Sequence, residues 1–312
     1  MKTITSKKAV RLLPGLLPDD NKYTRGLCEL VVGDPIYAGA GVLAVMAATR
    51  MGAGYVRAYT SFETAAALRV VVVLQEEWGE SCVCQPVDTF VEHRHAACEG
   101  RPCAVVVGSG FAVSDAAKAT VLDVLRLTQA PVLVDGGGLA TLATDEGASA
   151  LRERFVAGLP TVITPHRGEA DRILATLNTE EVQASRARCE KKGIPAAAFD
   201  ALLIARAFGV ICVLKGPDTY IADGNEESAD DVFVLTCGTP ALAKAGTGDV
   251  LAGSIGSLLA RGMEPKDACA LGVFVHARAG VLAAADSAEL CVTTEDVLAH
   301  LPHAIRALDR KP

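Results

Sequence analysis

The chain has 312 residues, 50% of them hydrophobic and 21% charged, with a formal net charge of −7. That composition suits a globular α/β protein with a substantial core, and its scattered basic residues leave no electrostatic footprint for nucleic acid or an anionic membrane. The expected partners are small molecules, with no nucleic acid and no membrane.

Taken in chain order, the first stretch, "MKTITSKKAVRLLPGLLP", carries Lys2, Lys7, Lys8 and Arg11 and no acid. It reads as a frayed or docked N-terminal helix, favoured by Pro14 and few serines, with a mitochondrial transit peptide as the alternative. Residues 1–20 are thus expected as a flexible lead-in to a single 1–312 domain, and the location as cytoplasmic with a mitochondrial alternative. No apolar run is seen to reach the roughly 18 to 20 residues that span a bilayer.

Short β-branched runs follow: "LCELVVG" (27–33), "YVRAYT" (55–60), "CAVVVGSG" (103–110), "PVLVDGGG" (131–138), "PTVITPH" (160–166) and "VICVLKG" (210–216). The alanine- and glycine-rich stretch 38–54 reads as a buried helix, and 114–128, 168–178 and 196–208 read as further helices. Residues 218–235 read as a hairpin with an acidic, solvated tip. Apolar strands alternating with helices predict a central, mainly parallel sheet covered on both faces. Ten cysteines show no C-x-x-C spacing and are expected as buried free thiols. The close pair Cys82 and Cys84 is expected to be split between two faces by strand alternation, making a poor chelate.

In an open parallel sheet, ligands bind beyond the carboxyl ends of the strands. Those ends carry Gly108-Ser109-Gly110, Asp135 with three glycines, Thr164-Pro165-His166, and Lys215-Gly216. The first group lacks the third glycine of a dinucleotide fingerprint, since Val113 stands there. Asp135 either lines the substrate mouth or ends a strand in a tight turn. Lys215, followed by Gly216, Pro217, Asp218 and Thr219, joins a cation, a glycine and a hydroxyl, a set that suits polyphosphate; the alternative is a solvated lysine opening a hairpin. His166 and Glu169 lie at a strand end and a helix start, and Glu169 is placed to hold a magnesium-bound water.

In "KAGTGDVLAGSIGSLLARG" (244–262), Gly246 and Gly248 precede a helix whose free N–H groups suit a phosphate. Asp249 is anomalous beside a phosphate. It is either a first-turn acid favoured by the helix dipole or a group that takes a proton, and the flanking glycines favour the second.

Together these stretches resemble the ADP/ATP-dependent NAD(P)H-hydrate dehydratases, a branch of the ribokinase-like superfamily. "KYTRG" with its glycine-rich turn, "TPHRGE", "KGPDT" and "AGTGDVLAG" carry the resemblance, over residues 22 to 283. It implies a ribokinase-like fold, with Asp249 as catalytic base and the Gly246–Gly248 turn receiving the moving phosphoryl group. Ala40, Gly110, His166 and Asp249 would contact the hydrated nicotinamide substrate. Lys215 to Thr219 and Gly248 would contact ATP or ADP, used with Mg2+. Two departures stand out: "DGGGL" replaces the family's D-A-D-A-L, removing an acid at Gly137, and Asp34 stands where a small residue is usual. A small-molecule kinase of the same superfamily, acting on a vitamin-precursor alcohol such as a hydroxyethylthiazole, is the second reading. A nucleotide-binding module without turnover is the third, and the joint presence of Asp249, Lys215 and His166 argues against it. A homo-oligomer is expected.

Overall fold

A computed structural model describes residues 1–74, 82–91, 100–177, 179–191 and 193–309. Its described strands form one sheet: β1 (Lys2–Thr3), β2 (Leu27–Val31), β3 (Tyr55–Thr60), β4 (Cys82–Pro86), β5 (Cys103–Val107), β6 (Val132–Val134), β7 (Thr161–Ile163), β8 (Ile211–Leu214), β9 (Thr219–Asp223) and β10 (Phe233–Leu235). Their spatial order is β1-β10-β9-β8-β7-β6-β5-β2-β3-β4. β9 runs antiparallel to β8 and β10, and the other pairs are parallel. The chain builds outward from β2 through β4, returns to β5 on the other side of β2, and then builds the opposite way. The crevice between β2 and β5 is therefore a topological switch point, where flanking loops diverge and leave room for a ligand.

The described helices are α1 (Ser6–Leu12), α2 (Ala38–Arg50), α3 (Phe62–Leu74), α4 (Asp115–Leu127), α5 (Leu139–Leu142), α6 (Asp145–Val156), α7 (Arg167–Leu174), α8 (Thr179–Lys191), α9 (Ala196–Phe208), α10 (Thr247–Ala260), α11 (Pro265–Asp286) and α12 (Thr294–Asp309). Successive strand residues point to opposite faces, so each strand feeds two cores. Leu30, Val106 and Leu133 pack with residues of α2, α10, α11 and α12. Val31, Val107 and Val134 pack with residues of α4, α6, α7 and α9.

The small residues of α10 have a steric cause. A Cβ on Gly253 would lie 2.0 Å from Ala44 O of α2, and one on Gly256 would lie 2.2 Å from Val106 of β5. The helix is wedged between a neighbouring backbone and the sheet, and every residue from Val250 to Ala260 is buried.

Several expectations are corrected. Residues 2–12 are docked: β1 pairs with β10, Ile4 and Ala9 are buried, and Lys8 meets Asp267 at 3.2 Å. Contrary to the reading that no apolar stretch reaches spanning length, α11 is long and apolar enough to cross a membrane by length and composition; 72% of its apolar window is buried inside the fold. Its sequence is interrupted by Lys266, Asp267 and Arg278, so it is not one continuous apolar run. The strand readings 103–110 and 131–138 overshoot, because the strands stop where Gly108 and Gly136 take positive φ (103° and 56°). β4, α3, α5, α6, α8, α11 and α12 had not been anticipated.

The thiols are not uniformly buried. Cys28, Cys212 and Cys269 are buried and free, and desolvation pushes their thiols up. Cys237 and Cys291 are exposed, Cys103 is disulfide-bonded, and Cys98 lies outside the described residues. Cys82 and Cys84 do lie on a strand, but two residues apart they share a face, and the thiol of Cys82 lowers the Cys84 thiol to about 7.

One buried charge shows how the amino ends of β6 and β7 are fastened. Arg154, 3% exposed, donates to Thr161 Oγ1 and to the carbonyls of Leu125, Thr128, Ala130 and Pro160. All three of its guanidinium nitrogens are engaged.

Candidate active site

The carboxyl ends of β2 and β5 open onto loops held together by backbone contact. Gly33 N–H donates to Ser109 O at 2.8 Å. Asp34 Oδ1 accepts from the N–H groups of Ile36 and Tyr37 at 2.8 and 2.9 Å, and its Oδ2 accepts from Ala112 N–H at 2.6 Å. The departure at Asp34 thus caps its own loop with two bonds and staples it to the 108–112 loop with the third. Gly110 has φ +74°, and a Cβ there would lie 2.8 Å from Tyr37 O and 3.1 Å from Ala40 Cβ. The switch point brings Ala40 and Gly110 side by side.

Next to them, Asp135 ends β6 almost fully buried (2% exposed). A buried carboxylate is tolerated only when its charge is met by donors. Thr164 Oγ1 donates to Oδ1 at 2.5 Å, Lys215 Nζ to Oδ1 at 2.9 Å, and Ser109 Oγ to Oδ2 at 3.2 Å. Asp135 is the hub that joins the ends of β5, β6, β7 and β8.

Lys215 reaches that hub because β7 and β8 stay in register beyond their last strand residues. Its N–H donates to Pro165 O at 2.9 Å, and it forms a parallel bridge with His166. Burial lowers the lysine's pKa, but the negative charges of Asp135, Glu169 and Asp249 outweigh this and raise it, so the ammonium stays charged. A Cβ on Gly248 would stand 3.2 Å from Lys215 Nζ. Glycine there lets the ammonium approach the first turn of α10.

That turn starts at Gly246, in the left-handed region (φ +94°) and with no side-chain cap. A Cβ on it would lie 2.7 Å from Leu43 of α2, one turn beyond Ala40. The uncapped start leaves helix N–H groups for an external anion. Asp249, in the same turn, has its carboxyl pushed up to about 7, chiefly by burial and then by the charge of Asp135; Lys215 and a hydrogen bond with Ser109 pull the other way. A carboxylate with that pKa, beside a lysine and an uncapped helix start, is suited to accept a proton near an anion.

His166 and Glu169 have a local task. His166 is the N-cap of α7: Nδ1 accepts from the N–H groups of Gly168 and Glu169 at 3.0 and 3.3 Å, and Glu169 Oε2 accepts from His166 N–H at 2.8 Å. This reciprocal capping box fixes the ring. Because Nδ1 accepts, the proton of the neutral ring is on Nε2, which lies 3.4 Å from Glu169 Oε1. The His166 side chain remains 57% exposed at the crevice.

A family model described as NAD(P)H-hydrate dehydratase matches residues 28–303. The chain belongs to the NAD(P)H-hydrate dehydratase family. It is 32% identical over 285 residues to the ADP-dependent (S)-NAD(P)H-hydrate dehydratase of Xanthomonas campestris, covering 90% of this chain and 88% of that one. It is 32% identical over 302 residues to the bifunctional NAD(P)H-hydrate repair enzyme Nnr of Thermofilum pendens, covering 95% of this chain and 53% of the relative. The chain thus spans about half the length of several bifunctional relatives. Its fold is similar to that of the Bacillus subtilis ADP/ATP-dependent NAD(P)H-hydrate dehydratase co-crystallized with ATP/Mg2+, with a TM-score of 0.77, 25% identity and 99% of both chains covered.

Within this dehydratase-family fold, Ala40, Gly110, His166, Lys215, Gly246, Gly248 and Asp249 all come to the carboxyl edge around the switch point. Gly216, Pro217 and Asp218 form the turn after β8, and Thr219 opens β9. The missing acid at Gly137 has a steric explanation: a Cβ there would lie 2.0 Å from Phe111 O. The "DGGGL" turn packs backbone to backbone on the 108–111 loop, as the 2.3 Å between a Cβ on Gly108 and Asp135 O also shows.

The sequence reading gave Ser109 and Thr164 no role of their own and left Asp135 undecided; their link to Lys215 exists only in three dimensions. It also passed over His276 on α11, which is 9% exposed, has no hydrogen-bond partner at Nε2, and is held down to about 4 by burial. Its ring meets the Thr247 backbone beneath the α10 start. A histidine inside the apolar run "GVFVHA" was the available signal.

Proposed function

We propose that this chain restores hydrated NADH or NADPH by dehydration, driven by hydrolysis of ATP or ADP. The observation that carries the reading is Asp249, raised to about 7 in the first turn of a glycine-started helix and next to Lys215.

Hydroxide is a poor leaving group, and phosphorylating the ring hydroxyl removes that obstacle. Asp249 takes the hydroxyl proton as the oxygen bonds to the terminal phosphorus and the bond to the bridging oxygen breaks. Phosphate then leaves with the electrons of its bond to carbon, while the neighbouring ring carbon gives up a proton to solvent water and the C–H electron pair forms the double bond. N–H groups at the Gly246–Gly248 turn stabilise charge on the phosphoryl oxygens, and Lys215 adds a fixed positive charge. Asp135 holds that ammonium in place. Ala40 and Gly110 leave space for the nicotinamide ring, and His166 presents its exposed edge to the substrate. The turn from Lys215 to Thr219 takes the nucleotide phosphates.

Among the described residues no group of three or more His, Cys, Asp or Glu side chains is arranged to hold a metal ion. Such a site fits Mg2+ carried in by the nucleotide, an ion that keeps its waters and uses few protein ligands; Glu169 would hold it through water. When bound, the ion would neutralise charge on the nucleotide oxygens.

The test is to incubate the protein with NADHX, Mg2+ and each nucleotide and to follow the absorbance of restored NADH; no recovery with either nucleotide would overturn the proposal. A kinase would share the first step but leave the phosphate on its product. Mass spectrometry of the product separates the two, since elimination predicts free phosphate and no phosphorylated product.

A further inference from the structure

A pair of thiols that the proposed reaction does not use lies on β4, the last strand of the sheet at the end opposite β1, with β3 between it and β2. Cys82 and Cys84 alternate with Val83, so their side chains lie on one face. There they pack, only partly buried, against the core that holds Val56, Ala58 and Leu68. The two thiols share a hydrogen bond, which together with burial pushes the Cys82 thiol up. The same bond brings Cys84 down to about 7 against the effect of burial, with a further pull from the Arg69 guanidinium of α3. At neutral pH the pair therefore holds a thiol and a partly ionised thiolate side by side.

A disulfide does not suit this geometry. Two residues of an extended strand rise about 6.6 Å and their Cβ atoms point the same way, whereas a disulfide needs Cβ atoms about 3.8 Å apart. Closing one would bend β4 away from β3, with which it pairs from Val56 and Cys82 to Thr60 and Pro86. A cation between the sulfurs removes the conflict, since two metal–thiolate bonds of about 2.3 Å each bridge up to about 4.6 Å.

The number of ligands selects the cation. Cys28 stands in the same row, but Val56 lies between it and Cys82, so it is two strand spacings, or about 9.6 Å, away. Among the described residues no third His, Cys, Asp or Glu side chain joins the pair. Structural zinc calls for four ligands, whereas a soft, filled-shell monovalent cation is satisfied by two thiolates. Such a complex carries one net negative charge, which the positive charge of Arg69 offsets.

We infer that Cys82 and Cys84 form a two-thiolate binding site for Cu(I). The cation gains two bonds to sulfur, the S–H protons pass to the buffer, and no electron is transferred. The site stands apart from the proposed reaction and does not need it.

The test is anaerobic titration of the full chain with Cu(I), supplied as its acetonitrile complex, in competition with bathocuproine disulfonate. The chain carries Cys237→Ser and Cys291→Ser, which remove the two exposed thiols. One equivalent of copper is expected to be taken from the chelator, and X-ray absorption is expected to show two sulfur neighbours. Cys84→Ser should lower the affinity at least roughly hundredfold, since a direct ligand is worth more than an outer partner. Cys189→Ser, which leaves the pair intact, should keep it. Cys82→Ser should act as Cys84→Ser does, and it decides if that variant does not fold. No copper taken from the chelator, three or four sulfur neighbours, or an unchanged affinity in a folded variant of the pair overturns the inference.

Discussion

The two edges of the sheet handle charge in opposite ways. At the carboxyl edge, Asp135 ties Lys215, Thr164 and Ser109 into one network, and Asp249 beside it is left poised between protonation states. At the amino edge, Arg154 is saturated with acceptors. A buried charge whose hydrogen bonds are complete is structural. One that is close-packed but incompletely met, or held away from its usual pKa, is a candidate for work.

The sharpest way to break that contrast is Asp249→Ala. Turnover is expected to fall about 10²- to 10⁴-fold as a general base is lost, with nucleotide affinity by calorimetry largely kept. Unchanged turnover would remove Asp249 from the chemistry. Arg154→Leu probes the structural side: five oxygens lose their donor, and urea unfolding should show a loss of about 3 to 5 kcal/mol with turnover of the folded fraction unchanged. A loss under about 1 kcal/mol would mean the saturated arginine is not a fastening.

Gly137→Asp restores the acid that relatives of the D-A-D-A-L type carry. Its Cβ has no room beside Phe111 O, so thermal unfolding should report a destabilisation of about 1 to 3 kcal/mol, and substrate affinity should not improve. Tighter substrate binding in a stable variant would show that the loops can part.

Asp135→Asn is the subtlest change. Asp249 must be deprotonated to act, so activity is lost as pH falls through its pKa of about 7. Removing the Asp135 charge lowers that pKa and carries the acid limb of kcat/KM down by about one pH unit. A limb that stays in place would mean burial alone sets the basicity of Asp249.

Much of this was legible in the chain. Runs such as "CAVVV" and "VICVL" fixed the strands, because a strand covered on both faces must be apolar throughout. "AGTGDVLAG" marked the anion site, because few sequences put two glycines and an acid at a helix start. The helix α11 was not legible, since it is buried nearly all round between α10 and α12 and shows no amphipathic period; α12 does carry one, with Val297, Leu298, Leu301, Ala304 and Leu308 on its buried face, and it was passed over. The face shared by Cys82 and Cys84 follows from strand geometry and had been misread.

The sequence by itself determined which residues carry reactive groups and that they sit at strand ends and helix starts, since local spacing and backbone sterics decide both. Only the tertiary structure decided which of them meet. Asp135 and Lys215 are eighty positions apart and touch at 2.9 Å because β6, β7 and β8 are adjacent in the sheet. The basicity of Asp249 likewise depends on burial and on a neighbour contributed by another strand, and Gly137 is required by a carbonyl from a different loop. Through-space distances of that kind are not set by any local pattern.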